Sequence, residues 1–318
     1  MEISQSHFVA YPGKARELFC ATVGNIEIEI SSYCNRRCGF CPNSTLDRIS
    51  GQTYMDDALF HSIVLQLGKL KWGGTLSFHR YNEPLADRAY LLRRLRQARS
   101  LAPTATLCLF TNGDYLNPDY LEAIHEAGCR RIVCSVYLQE GKPYDDNEML
   151  GAINTRIDGL GVTADWEVSE PGIHVARIAY RDIDMVIRGQ DFYRSFNDLQ
   201  AMSNRGGILD VNTHYLRTEP CIKPFVEMQI EVDGTLLPCC ELRSDYPAHR
   251  AYTLGRLRPQ DDIVSVWAGP AYTKWRRALF SFEPKTGICA GCAAPGIGTS
   301  PEVRQLVNQV HRAWIAAA

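Results

Sequence analysis

Ser31-Ser32-Tyr33-Cys34-Asn35-Arg36-Arg37-Cys38-Gly39-Phe40-Cys41-Pro42-Asn43 decides the fold, because it sets three thiols on one short loop directly after the strand-like run Ile26-Glu27-Ile28-Glu29-Ile30. Thiolate sulfur is a soft ligand that suits iron–sulfur clusters and zinc. A tetranuclear cluster held by Cys34, Cys38 and Cys41 keeps one iron open for chemistry. A structural zinc site asks for four protein ligands at paired spacings. The nearest histidines, His61 and His79, are isolated within stretches that read as helix and strand. A non-catalytic zinc-binding protein is the alternative from another functional class.

The 318 residues carry 34 Lys plus Arg against 36 Asp plus Glu, so no basic field for nucleic acid exists. No apolar run approaches the roughly 18 residues of a membrane span. The beginning, Met1 to Lys14, lacks the basic-then-apolar order of a signal peptide. The expected location is cytoplasmic, without a nucleic-acid or membrane partner. Twelve cysteines in a reducing compartment point to metal ligation more than to disulfides.

From Gly24 to about residue 180, β-rich runs alternate with helical stretches, which predicts an α/β protein with a parallel sheet. Strands are expected at 25–30, 75–79, 105–110, 131–137 and 173–180, and helices at 56–70, 87–100 and 117–127, the last opened by Asn117-Pro118. Residues 140–170 show little periodicity and read as a loop-rich insertion or a solvated face. Cys108 and Cys134 lie in apolar runs and read as small buried hydrophobes. Ser135 and Tyr137 share one face of the fourth strand by alternation, which turns that face toward a lined cavity.

Downstream, Cys221, Cys239, Cys289 and Cys292 form a second group. Met228 to Cys239 reads as two strands around the Asp233-Gly234 turn, which brings Cys239 toward the region of Cys221. Four thiolates complete the ligation of one tetranuclear cluster, and they also suit structural zinc.

The first cysteine motif, with Phe40 before its last thiol, resembles the signature of the radical S-adenosylmethionine (SAM) superfamily. The second group resembles the SPASM/twitch extension in its shorter, one-cluster form, since Cys292 is the last cysteine. The resemblance implies a partial (β/α)6 barrel followed by a small twitch domain of a β-hairpin plus helix. The expected division is an N-terminal segment 1–24, a radical SAM core 25–215, an auxiliary-cluster domain 216–300 and a C-terminal helix 301–318. It implies two [4Fe-4S] clusters, SAM, and an electron donor such as flavodoxin or ferredoxin.

By the same resemblance, Phe40 lies beside the adenine and Glu83, in Tyr81-Asn82-Glu83-Pro84, holds the SAM ammonium. Asn112, in the turn Thr111-Asn112-Gly113, and Ser135 contact SAM, and Arg177 pairs with its carboxylate. The implied reaction is hydrogen abstraction from a sugar, an aminocyclitol or a related secondary metabolite, for epimerisation or dehydrogenation. Only 24 residues precede the first strand, which favours a small molecule over the alternative, maturation of a ribosomally made peptide. Cys240, beside a presumed ligand, is the candidate hydrogen-atom donor. Arg205, in Asn204-Arg205-Gly206-Gly207, reads equally as a substrate contact or a structural one.

Overall fold

The structure, a computed structural model, describes residues 14–139, 141–196, 199–200, 202–212 and 214–316. Residues 1–13 of the expected N-terminal segment and 317–318 of the expected C-terminal helix lie outside that set. The first half follows the alternation: α1 (Ala15–Thr22), β1 (Asn25–Ile28), α2 (Asp57–Lys69), β2 (Thr75–Ser77), α3 (Arg88–Leu101), β3 (Thr106–Thr111), α4 (Pro118–Glu126) and β4 (Arg131–Ser135). The side chains of Asp56, Asp87 and Asn117 each accept a backbone N–H of the first turn, so helices α2, α3 and α4 start where their caps stand.

Residues 140–170 are not a loop-rich insertion. They hold α5 (Asp146–Leu160), capped by Asp145, and β5 (Asp165–Glu170). Helix α5 buries Met149, Ile153, Ile157 and Leu160, a helical spacing diluted in the sequence by exposed charges. The strand expected at 173–180 exists as β6 (Ile173–Tyr180), but it runs antiparallel to β7 (Ile183–Gln190), and β7 is the strand parallel to β4. The turn between β6 and β7 holds Arg181 at φ 53, a left-handed residue that no glycine announces.

A two-stranded ladder, β8 (Ser195–Phe196) and β9 (Leu199–Gln200), precedes α6 (Lys223–Val226), β10 (Glu227–Ile230), β11 (Thr235–Leu237) and β12 (Gly255–Arg256). Helices α7 (Ile263–Ala268), α8 (Pro270–Leu279) and α9 (Pro301–Ala316) complete the described chain. The main sheet has the order β12-β11-β10-β1-β2-β3-β4-β7-β6-β5, and the run β10-β1-β2-β3-β4-β7 is parallel throughout. This is the expected open barrel of six parallel strands, with antiparallel additions at both edges.

Alternation divides the sheet. Ile26, Ile28, Leu76, Leu107, Leu109, Ile132, Met185, Ile187, Met228 and Ile230 are buried in one continuous core with residues of the covering helices. Their neighbours in sequence form the inner face, where register aligns Gln229, Glu27, Ser77 and Cys108 in one row. A smaller core of Phe225, Phe280, Val307 and Val310 joins α9 to the auxiliary region.

Helix α2 also shows where packing overrides propensity. Alanine is worth about 1 kcal/mol over glycine inside a helix, yet a Cβ on Gly68 would lie 1.8 Å from the Leu101 carbonyl oxygen. Gly68→Ala is therefore predicted to destabilise the protein by about 1–3 kcal/mol, read as a lower midpoint in urea unfolding. An unchanged or higher midpoint would show that α2 and α3 can move apart freely.

Candidate active site

The cysteine loop leaves the carboxyl end of β1 and is tied to the ends of β2 and β3. Asn112 Nδ2 donates to Asn35 Oδ1 at 2.8 Å, and Asp114 receives Asn35 Nδ2 at 2.7 Å and Arg36 at 2.6 and 2.7 Å. The Cys34 amide donates to the Arg48 carbonyl, and Arg48 Nη1 reaches Glu29 at 2.8 Å. Asn112 thus anchors the loop with its side chain, where the sequence placed it on SAM.

Glu83 is similarly committed to protein. Its oxygens accept from Thr111 Oγ1 at 2.6 Å, Leu85 N at 3.0 Å and Asn112 N at 2.8 Å. Burial pushes its carboxyl up to about 7 despite these bonds. The carboxylate fastens the β2 and β3 ends together, so its direct part is positioning.

Arg177 requires a correction. It lies on β6, about half exposed, and pairs with Glu167 and Asp184. The arginine beside Ser135 is Arg188 on β7, in register with it and donating from Nε to Ser135 Oγ at 3.3 Å. The misplacement follows from the unannounced hairpin between β6 and β7. Phe40 stacks on Phe192 with centroids 3.8 Å apart and leans on Tyr137 at 5.1 Å. These rings, with Cys38, Lys142 and Gln190, line a cavity of ≈ 580 Å³ at the strand ends.

The four later cysteines gather at the opposite end. Cys221 precedes α6 and β10, and Cys239 follows β11, which runs antiparallel to β10 and returns to its start. Buried Arg217 donates to the carbonyls of Cys292 (3.1 Å) and Ala294 (2.5 Å) and so fixes the Cys289–Cys292 turn. Burial first, then neighbouring thiols and Glu241, raises Cys239 well above the ordinary thiol range, and burial lifts Cys289 to about 12. Cys34 is likewise lifted to about 11 by burial. Such thiols become thiolates when a metal centre supplies the positive charge.

Among the described residues, no three His, Cys, Asp or Glu side chains converge as one metal ion requires. All-thiolate sets of three and four suit tetranuclear clusters, and three thiolates alone leave a structural zinc site incomplete. Arg205, Arg243 and Arg48 place positive charge toward Cys41, which suits an anionic cluster there.

Between the two groups lies a cluster of polar side chains. Arg205 acts on Cys41 and reaches Glu241 at 3.5 Å, and Glu241 in turn acts on Cys239 and Cys292. Ser203 donates to Glu241, and Tyr81 donates to the Cys240 carbonyl at 2.7 Å. Glu27 rises to about 7 through burial, moderated by Arg80. The partly buried Cys240 thiol is pushed well up, first by desolvation and then by the charges of Glu241 and Glu27. Gly206 (φ 64) packs closely beside this cluster, since a Cβ there would lie 2.7 Å from His249 and Leu242 atoms. Sequence reading passed over Glu27, Tyr81, Arg188 and Glu241. The alternation in Ile26-Glu27-Ile28-Glu29-Ile30 was the available signal for Glu27.

A family model described as "Radical SAM superfamily" matches residues 28–138, and one described as "Iron-sulfur cluster-binding domain" (SPASM) matches residues 221–293. The chain thus carries a radical SAM domain and an iron–sulfur cluster-binding domain. Its cofactors are SAM with its cluster, and an auxiliary iron–sulfur centre. An S-adenosyl-L-methionine-dependent 2-deoxy-scyllo-inosamine dehydrogenase of Niallia circulans is 27% identical over 280 residues, 87% of this chain and 95% of the relative. The crystal structure of BtrN in complex with AdoMet and 2-DOIA aligns with TM-score 0.57 and 26% identity, covering 81% of this chain and 87% of that one. Selenomethionine BtrN in an open conformation aligns at TM-score 0.53 and 21% identity over 82% and 87% of the two chains, a likeness of fold. No described helix is long and apolar enough to cross a membrane.

Two outcomes test the site. Anaerobically prepared protein should contain about eight irons per chain, and replacing Cys34, Cys38 and Cys41 together by alanine should halve that number; zinc in place of iron would refute both assignments. The second outcome concerns pH. A carboxyl whose folded value is about 7 binds its proton more tightly than in the unfolded chain, so the native state loses stability as pH rises from about 4.5 to 7. Glu83→Gln should shrink the difference in melting temperature between pH 5 and pH 8, and an undiminished difference would show that Glu83 does not titrate in that window.

Proposed function

We propose that this protein abstracts a hydrogen atom from a carbinol carbon of a small aminocyclitol or related sugar and oxidises that carbon to a carbonyl. The observation that carries this reading is the Arg205–Glu241 pair, set between the two cysteine groups. A guanidinium, two carboxylates and a phenol in one polar cluster suit a ring carrying hydroxyl and ammonium groups. The activity of the Niallia circulans relative, matched over 95% of its length, supports the same substrate class.

When bound, SAM and its reduced cluster supply a 5′-deoxyadenosyl radical. Cys34, Cys38 and Cys41 would hold that cluster. Arg188 with Ser135 would take the SAM carboxylate, and the cavity beside Phe40 its adenosine. Removing one hydrogen atom from a carbinol leaves a carbon radical, which becomes a carbonyl by losing one electron and one proton. Glu27, with a carboxyl near 7, is placed to receive the proton at its side-chain oxygen. Cys221, Cys239, Cys289 and Cys292 would hold the auxiliary centre, the destination of the electron. We assign the incoming electron to a flavodoxin or ferredoxin and the location to the cytoplasm.

One observation favours epimerisation as a second reading. The Cys240 thiol donates to Glu241 at 3.9 Å and is pushed well up by desolvation, which suits donation of a hydrogen atom. Anaerobic turnover with aminocyclitols separates the two. Oxidation predicts a ketone from the parent and from Cys240→Ala alike, and Glu27→Gln should lower kcat by about 10²-fold while 5′-deoxyadenosine still forms. An epimer from the parent, lost in Cys240→Ala, would move the assignment to epimerisation. Turnover of a peptide and of no aminocyclitol or sugar would sink both.

A further inference from the structure

The turn that carries Arg205 is conformationally costly. Arg205 (φ 50), Gly206 (φ 64) and Gly207 (φ 86) follow one another in the left-handed region, which an arginine adopts only where its surroundings impose it. The Asn204 carbonyl closes the turn from within, accepting from the Gly207 and Leu209 amides at 3.0 Å each. From outside, His249 Nε2 donates to the Gly206 carbonyl at 2.9 Å. His249 is fully buried in the short helical turn Pro247–Tyr252, and its Nδ1 accepts from the Arg243 amide at 3.2 Å. A backbone amide only donates and a carbonyl only accepts, so the two bonds fix the ring as neutral with its proton on Nε2. Burial holds its pKa below the ordinary histidine value; the charge of Arg243 acts in the same direction and that of Asp245 against it. The Tyr246 ring meets it edge-on at 5.0 Å.

We infer that His249 is the positioning residue for Arg205: by donating to the Gly206 carbonyl it holds the left-handed turn that sets the guanidinium beside Glu241. The inference rests on the reading of Arg205 and Glu241 as substrate contacts. Arg205 Nη1 stands 3.5 Å from Glu241 Oε1, beyond an ordinary charge-assisted hydrogen bond, so this pair alone does not fix the arginine. Its Nε has no hydrogen-bond partner among the described residues, and Glu241 is anchored separately by Ser203. The arginine is therefore aimed by its backbone, which the bond from His249 ties to the segment beyond Cys239. Gly206 makes that tie possible, since a Cβ there would lie 2.7 Å from Nε2 itself. A glutamine in place of His249 offers the same pair, an oxygen to the Arg243 amide and a nitrogen to the Gly206 carbonyl, whereas leucine fills similar space with neither.

Hydrogen exchange followed by mass spectrometry, together with steady-state kinetics on an aminocyclitol, tests this on the anaerobic holoenzyme. In His249→Leu the peptide covering residues 204–212 should exchange about tenfold faster than in the parent, because a tethering bond is lost. At unchanged iron content KM should rise about tenfold with kcat within about twofold, the pattern of weakened substrate binding and an intact reacting centre. His249→Gln should stay within about twofold of the parent in both readouts, since it keeps the donor and the acceptor. Unchanged exchange in His249→Leu, or faster exchange with an unchanged KM, would overturn the inference and leave the functional reading standing. Failure of the parent to turn over any aminocyclitol or sugar would sink that reading and the substrate role of Arg205 with it, while the exchange data would still decide whether His249 holds the turn. If His249→Leu does not fold, His249→Gln decides, and a departure from the parent in either readout overturns the inference.

Discussion

The parallel ladder between β1 and β10 is the constraint on which the rest of this molecule depends. It aligns Asn25 with Glu227 and Ile28 with Ile230, joining residues some two hundred positions apart. The first cysteine loop leaves the carboxyl end of β1, where open α/β sheets place their ligands. Cys221 and Cys239 bracket the hairpin that begins at the opposite end of β10. One ladder thus sets two thiol groups at the two ends of one sheet, with the inner face between them. Sliding this pairing by one residue would send Glu27 or Gln229 into the apolar core.

That inner face is costly in free energy. Glu27, Glu29, Arg80, Arg188, Gln229 and Glu231 occupy it, and the burial of Arg80 against Glu231 at 3.3 Å is no strong source of stability, since desolvation offsets most of the attraction. The helices outside compensate with an apolar core that includes Trp72, Phe19, Phe60 and Phe78, all fully buried. A sheet with one greasy and one charged face is the expected form when the second face holds a polar ligand and must exclude bulk water.

The scaffold was largely legible because its signals are local. Proline at the first helical position of α4, aspartate caps and strict alternation along β1 and β4 each act over a few residues. The cysteine motifs were legible for another reason: soft ligands at short spacing have few other uses. Helix α5 and the turn into β7 were hidden, the first because exposed charges dilute its apolar stripe, the second because Arg181 adopts φ 53 without glycine. That one turn placed Arg177, and not Arg188, beside Ser135 in the sequence reading. Glu83 was found by its motif, but its fastening to β3 could not be read, since Thr111 and Asn112 reach it only through tertiary register, while its bond from Leu85 is local.

The polar cluster between the two cysteine groups bears on why one protein would keep two clusters. A carbinol radical is a strong reductant, and its oxidation needs an acceptor near enough to receive one electron before the radical recovers a hydrogen atom. Glu241 lies between the two cysteine groups, since it pairs with Arg205 and acts on Cys239 and Cys292. In the proposed oxidation the proton goes to Glu27, on a different strand, whose carboxyl burial raises to about 7 despite Arg80, and the electron goes to the auxiliary centre. In the epimerisation reading neither leaves: the Cys240 S–H bond breaks and the carbon radical takes its hydrogen atom, so the product is decided by whether the radical meets an electron acceptor or an S–H bond first.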